Sequence, residues 1–244
     1  MIKIFKILFI FSISINYGQT ILISDFTPVD FSEIDGNYGP NRKYYIYNYV
    51  GGGTKSSLVN TFNEDFISLK TGSELNFGTR YRIGFGRILA IIYDLQINSS
   101  WNKINLKEDP VIPISVINLK KVNYIYHQIG NSISTQFNFN PKRGNRLGSY
   151  LDLGVFGSYI YSNKFRYKLE LADISDNTVV TIKKMEYFNT FLYGLIVRFG
   201  KEKIVFYGKF RLSDLFNNET NFTSPELPRF TFGMEFLISH SSHQ

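Results

Sequence analysis

Strict alternation of apolar and polar side chains is the feature that most constrains the fold of this chain. In ISLKTGSELNFGTRYRIGF, from Ile67 to Phe85, the odd positions carry mostly large apolar residues and the even positions carry charged or small ones. Successive side chains of a β-strand point to opposite faces, so a period of two predicts a strand with one apolar and one charged face. The helical period is absent from this stretch.

The same period recurs along the chain as far as RFTFGMEFLI, from Arg229 to Ile238. Alternating stripes cover 89–101, 125–139, 151–161, 191–199, 204–212 and 230–238. We take KYYIYNYV (Lys43 to Val50) as the first strand and the Gly-Ser-rich piece after it as an external loop. The total reaches about eight strands, an even number that returns both ends of a barrel to one side.

The connections between these stripes alternate in length. Short ones stand at Gly86-Arg87, at 140–148 and at 200–203, whereas long polar ones cover about 102–121, 166–186 and 217–228. Brief periplasmic turns and longer external loops are typical of outer-membrane barrels. The sequence therefore predicts an all-β fold, a closed antiparallel up-and-down transmembrane β-barrel of about eight strands.

A secreted β-sandwich or a lipocalin-like barrel would also alternate, but with its apolar face in the core and its charged face in water. Stripes of ten or more residues exceed the usual strand of about five or six. They match the about nine to eleven residues that a tilted strand needs to cross a bilayer. Length therefore favours the membrane barrel over the soluble alternative.

If the apolar face meets lipid, the charged face must line the lumen. About eight strands leave an interior that side chains just fill, and buried charges without partners cost several kcal/mol each. We therefore predict ion pairs across the lumen between carboxylates and basic side chains. The predicted lumen network consists of Lys70, Glu74, Arg80, Arg82, Asp94, Asp152, Arg198, Lys209, Arg211 and Glu235.

The N-terminus has the layout of a secretory signal. Lys3 and Lys6 precede an apolar run to about Ile15, which is shorter than the roughly 20 residues of a membrane helix. We expect residues 1–18 to be a cleaved signal peptide, 19–42 a periplasmic N-terminal extension, 43–238 the barrel and 239–244 a C-terminal tail. The expected location is the outer membrane of a Gram-negative bacterium.

Composition and motifs indicate a non-enzymatic protein. The chain has no Cys, so disulfides, thiolate metal sites and the acceptor for lipoprotein lipidation are all missing. Its net charge of +7 is spread among acids, without the dense basic run of a nucleic-acid binder. No nucleotide or metal motif occurs, and His127 falls on the lipid-facing parity with no convincing Ser or acid partner in sequence. We predict no catalytic, cofactor-binding or metal-binding residue, and a lipid-modifying barrel enzyme is kept as a remote alternative.

The signal ending in Gln19, the segments GSELNFGTRYRIGFGR and ILAIIYDLQIN, and the terminal PRFTFGMEFLI resemble the small outer-membrane β-barrel proteins of the Bacteroidota. These include the PorT-like barrels associated with type IX secretion. The resemblance covers roughly Phe66 to Ile238 and rests on patterns. It implies the fold, the compartment and membership of an outer-membrane assembly, and no catalytic residue. The chain departs from the usual C-terminal pattern because SHSSHQ follows the final aromatic strand.

Two functions remain open at this point. In the first, the barrel is a structural or accessory subunit of an outer-membrane secretion or transport assembly, and contacts outer-membrane or periplasmic proteins through its loops and residues 19–42. In the second, it is a narrow channel or small-ligand carrier whose basic lumen prefers anions.

Overall fold

The computed structural model describes residues 37–56, 67–106, 121–142, 144–169, 178–185, 188–217 and 227–238. For 67–71, 104–106, 121, 168–169 and 178 it describes the backbone alone. The strands in this part of the chain are β1 (Tyr44–Ser56), β2 (Ile67–Phe85), β3 (Leu89–Leu106), β4 (Lys121–Asn138), β5 (Ser149–Leu169), β6 (Thr178–Lys183), β7 (Phe191–Lys201), β8 (Ile204–Arg211) and β9 (Phe230–Ile238).

These strands close into an antiparallel barrel of eight positions. Each strand pairs with its neighbour in the chain from β1 to β5, β5 continues to β7, and β9 returns to β1. The predicted fold class is thus confirmed as a closed, all-β, up-and-down barrel of eight strands. No helix in the described ranges has the length and apolar character to cross a membrane.

The position of the wall next to β5 is shared by two strands that follow one another in the chain, β6 and β7. β7 pairs with Ser149–Tyr159 of β5, and β6 pairs with Lys164–Leu169 farther along the same strand. The sequence prediction of a single loop over 166–186 is wrong, because β5 extends to Leu169 and β6 occupies Thr178–Lys183. Six residues bounded by polar segments give too short a stripe for a period of two to stand out.

A second correction concerns β1. The glycine-rich piece after Val50, predicted as an external loop, continues the strand to Ser56. A Cβ on Gly51 would stand 2.4 Å from Asn76 Oδ1, and one on Gly53 would stand 2.4 Å from the hydroxyl of Tyr207. Glycine at these positions therefore leaves room in the lumen for polar side chains of neighbouring strands.

The connections separate the two ends of the barrel. At one end β2 and β3 are joined through Gly86–Ile88, β7 and β8 through Glu202 and Lys203, and β4 and β5 through 139–148. β1 begins and β9 ends at this same end, which we call the short-turn end. β1 ends and β2 begins at the other end, which we call the long-loop end. β3 and β8 also end there, and β4 and β9 begin there.

The two faces of the wall have opposite chemistry. Outward side chains such as Phe206, Val155 and Ile133 are 54%, 56% and 55% exposed. Inward Arg80, Asp94, Arg198 and Glu235 are 0% exposed. Charge faces the axis and apolar surface faces outward, which is the reverse of a soluble barrel.

The predictions for the chain ends fall largely outside the described residues. The described residues do not include 1–36, which contain the expected signal peptide and most of the expected extension. They also do not include the tail 239–244. The described part of the extension lies against the short-turn end, where the Asn41 amide donates to the carbonyl of Gly144 at 2.7 Å. The Tyr38 ring contacts that of Tyr45, with 5.9 Å between centroids.

Candidate functional site

Asp94 on β3 is the centre of the charged lumen. Its carboxylate accepts from Arg80 Nε at 3.2 Å and from a guanidinium nitrogen of Arg198. The Tyr49 hydroxyl adds contacts of 2.9 and 3.1 Å to the two carboxylate oxygens. Arg80 on β2 stands directly opposite Asp94, whereas the Arg198 side chain reaches Asp94 from β7. One carboxylate thus connects β1, β2, β3 and β7 through the interior.

Arg80 carries the network on to β9. Its guanidinium forms an ion pair with Glu235, whose other oxygen accepts from the Asn76 amide at 3.2 Å. The same guanidinium lies over the Tyr49 ring, 3.9 Å from the centroid. Cation and anion alternate from Glu235 through Arg80 and Asp94 to Arg198, so each charge is balanced by its neighbours.

A second charge group lies nearer the long-loop end. Lys209 Nζ on β8 is 2.7 Å from Glu74 Oε1, and Lys55 Nζ on β1 is 4.0 Å from Glu74 Oε2. Lys55 also donates to the Tyr126 hydroxyl at 2.6 Å and to Ser100 Oγ at 2.9 Å. Sequence reasoning missed Lys55 because it assigned this segment to a loop. Continuing the parity of Tyr45, Tyr47 and Tyr49 would have placed it in the lumen.

Two predicted lumen arginines bond to groups other than the carboxylates expected for them. Arg82 donates to Gln136 Oε1 at 2.9 Å and to the Arg42 carbonyl at 2.7 Å. Arg211 donates to the backbone carbonyls of Ser213 and Leu227, each at 3.0 Å. Both arginines are buried, and they connect the wall to segments outside the regular strands.

Asp152 is also buried, but neither carboxylate oxygen accepts a hydrogen bond from the described residues. Its register neighbours are Gln136 on β4 and Arg198 on β7. The long Arg198 side chain bonds to Asp94 instead. The remaining predicted network member, Lys70, has its side chain outside the described residues.

Apolar clusters pack inside the barrel at each end of the charged layers. At the long-loop end, Phe188 and Phe216 pack edge-on at 5.2 Å, and Leu215 and Leu227 join them. At the short-turn end the cluster includes Tyr45, Tyr47, Leu147 and Tyr150. The interior is thus filled by a polar middle between two aromatic layers.

A small cavity lies between the second charge group and the long-loop cluster. Its volume is about 30 Å³, and its lining includes Lys55, Glu74, Lys209, Arg211 and Arg229. A space of this size holds about one or two water-sized molecules. It does not form a pore.

On the outward face, a histidine and a serine form a hydrogen bond that sequence reasoning did not find. His127 Nδ1 is 2.8 Å from Ser99 Oγ, because the two residues stand opposite each other on β4 and β3. The statement that His127 has no Ser partner is therefore wrong. No described acidic side chain bonds to His127, and the ladder between β4 and β5 shifts register directly after it. The pair thus lacks an orienting acid in the described part of the chain.

No protein-family model matches this chain, and no curated protein matches it. Within the described ranges, no three His, Asp or Glu side chains converge in an arrangement that could hold a metal ion.

Proposed function

We propose that this chain is an integral outer-membrane β-barrel protein of a Gram-negative bacterium, exported by a cleaved signal peptide. In this proposal it has no enzymatic activity and serves as a structural or accessory subunit of an outer-membrane secretion or transport assembly. The observation that carries the proposal is the inverted barrel, with apolar side chains outside and a charged, ion-paired interior.

The outward stripe supports the bilayer as its environment. On β7 the outward side chains from Phe191 to Phe199 are all apolar and 44–50% exposed. This stripe spans the about nine residues needed by a tilted strand. Exposed apolar area of this extent is unfavourable in water and requires a lipid or protein cover.

The outward polar side chains give independent support. Thr79 Oγ1 donates to Asn48 Oδ1 at 2.7 Å, and Ser99 pairs with His127. Water would satisfy such groups singly on a soluble surface, whereas in hydrocarbon an unpaired polar group is costly. Mutual pairing across neighbouring strands is what a lipid-facing wall needs.

The packed lumen favours a structural role over a channel. A permeating ion would have to displace the Arg80, Asp94 and Arg198 contacts and both aromatic clusters. Breaking one buried pair costs about 3–5 kcal/mol. Expected conductance is therefore far below that of a porin, whose 16 to 18 strands leave an aqueous channel.

The experiment is purification from native outer membranes in mild detergent, followed by mass spectrometry of the proteins that travel with the chain. We expect specific outer-membrane or periplasmic partners. A variant lacking 19–36 tests the extension, with removal of 239–244 as the matched control. We expect the first deletion, and not the second, to reduce co-purification.

A parallel flux measurement addresses the channel alternative. The purified chain is placed in planar bilayers and in liposomes loaded with chloride or phosphate. A solitary protein with steady anion flux would overturn the structural role and favour the narrow channel.

A further inference from the structure

A bulge in β5 changes which of its side chains face outward between the bulge and the long-loop end. The pairing of β4 with β5 shifts register at His127 and Gln128, where Tyr161 is the extra residue. On the short-turn side of this point Ser158 and Ile160 face inward, and on its long-loop side Phe165 and Tyr167 face inward. An extra residue reverses the parity of the strand beyond it. Lys164 and Arg166 therefore point outward instead of into the lumen.

The bulge brings cations of neighbouring strands together. Lys164 stands directly opposite Lys183 on β6. One step farther toward the long-loop end, Arg166 lies in the same row as Asn123 and exposed Lys103. Like charges directly opposite each other on a sheet are destabilising. We call Lys103, Lys164, Arg166 and Lys183 the basic crown.

No described group neutralises the basic crown. None of its members forms an ion pair or a side-chain hydrogen bond with the described residues. The described acidic side chains lie elsewhere. Glu74, Asp94, Asp152 and Glu235 are in the lumen, Glu202 is in a turn at the short-turn end, and Asp214 pairs with Arg229.

The crown directly adjoins the stripe that we assign to lipid. On the short-turn side of the crown lie Tyr159 and Tyr161, whose side chains are 50% and 53% exposed. Trp101 lies in the same row across the sheet as Lys164. Aromatic side chains of this kind favour the headgroup level of a bilayer. Cations just above that level meet the phosphate groups of the lipids.

We propose that the basic crown binds the phosphate groups of anionic lipids in the outer leaflet. This inference rests on the membrane insertion in the proposed function. The lipid phosphates supply a negative charge that no described acidic side chain provides there, and they relieve the repulsion between Lys164 and Lys183.

The test measures binding of bisphosphorylated lipid A and of phosphatidylcholine to the detergent-purified full-length chain by native mass spectrometry. The variant is K164Q/R166Q/K183Q. The control is K142Q/K201Q/K203Q, which removes three exposed cations from the short-turn end. Each cation near an anionic surface contributes about 1 kcal/mol, so we expect the crown variant to bind lipid A about a hundredfold more weakly. The control should bind like the unmodified chain, and phosphatidylcholine should bind weakly to all three.

Two further arms exclude other sources of the effect. Millimolar inorganic phosphate should not displace lipid A, because the aromatic rows hold the acyl chains beside the phosphates. Displacement by phosphate would show a simple anion site and overturn the lipid assignment. K183E should weaken lipid binding and raise the thermal midpoint in neutral detergent, since it replaces repulsion from Lys164 with attraction.

Equal lipid A binding by the unmodified chain and the crown variant overturns this inference. If the unmodified chain and the crown variant both need detergent and both form the folded barrel, the proposed membrane function stands. A chain that is water-soluble without detergent overturns both.

Discussion

Replacing Asp94 by asparagine tests whether ion pairing holds the interior together. The substitution keeps the size of the side chain and removes the only carboxylate shared by Arg80 and Arg198 among the described residues. Arg80 keeps Glu235, but Arg198 keeps hydrogen bonds only to Ser132 Oγ at 3.0 Å and Ser134 Oγ at 3.5 Å among the described residues, and its register neighbour Asp152 accepts no hydrogen bond from it. Removing one partner of a buried pair leaves an uncompensated charge and costs about 3–5 kcal/mol.

The assay is reversible urea unfolding of the barrel in lipid vesicles, followed by the shift in gel mobility between folded and unfolded chains. The matched control is Asp214→Asn. Asp214 pairs with Arg229, but the two side chains are 44% and 40% exposed. A pair this exposed is worth about 0–1 kcal/mol. We expect the same chemical change to be several times more costly at Asp94.

A double variant separates the buried charge from lost packing. Adding Arg198→Met to Asp94→Asn removes the guanidinium that the first change leaves unpaired, so part of the lost stability should return. If Asp94→Asn costs no more than Asp214→Asn, the reasoning about the lumen network is refuted.

Two more pairs of substitutions test the packing of the interior and the environment of the outer face. Gly200→Ala should lower the free energy of unfolding by about 1–3 kcal/mol in the same assay, because a Cβ there would stand 2.1 Å from a ring carbon of buried Tyr150. Gly208→Ala, whose nearest atoms would be 3.7 Å away, should change it little, and equal losses would contradict the packing described. Leu195→Arg, in the middle of the outward stripe, should cost about 2–4 kcal/mol in vesicles, whereas Ile204→Arg near the short-turn end should cost about 0–1 kcal/mol. The absence of any depth dependence would count against a bilayer around this wall.

The alternation was sufficient to predict the barrel because it is a direct consequence of strand geometry. It is a reliable signal over long stripes such as Gly72–Phe85 of β2 and Phe191–Lys201 of β7, where the ladders to the neighbouring strands keep one register. The inward position of Arg80, Asp94, Arg198 and Glu235 follows from that parity alone.

The predictions that failed have local causes. Parity alone does not reveal the bulge at Tyr161, so it does not indicate that Phe165 and Tyr167 turn inward while Lys164 and Arg166 turn outward. Glycines obscured the continuation of β1 and with it Lys55. The pairing choices of Arg198 depend on side-chain reach across the lumen, which a single sequence does not specify.

Single-cysteine scanning of β7 tests the central claim most directly, since the chain has no cysteine of its own. Fluorophore-labelled cysteines are placed in turn from Phe191 to Phe199 in the vesicle-inserted barrel, and quenching by acyl-chain nitroxides is compared with quenching by iodide. We predict strong lipid quenching at Phe191, Tyr193, Leu195, Val197 and Phe199, and weak quenching by either agent at the positions between them. Iodide quenching of the outward set, with lipid quenching absent throughout, would contradict the assignment of this face to the bilayer.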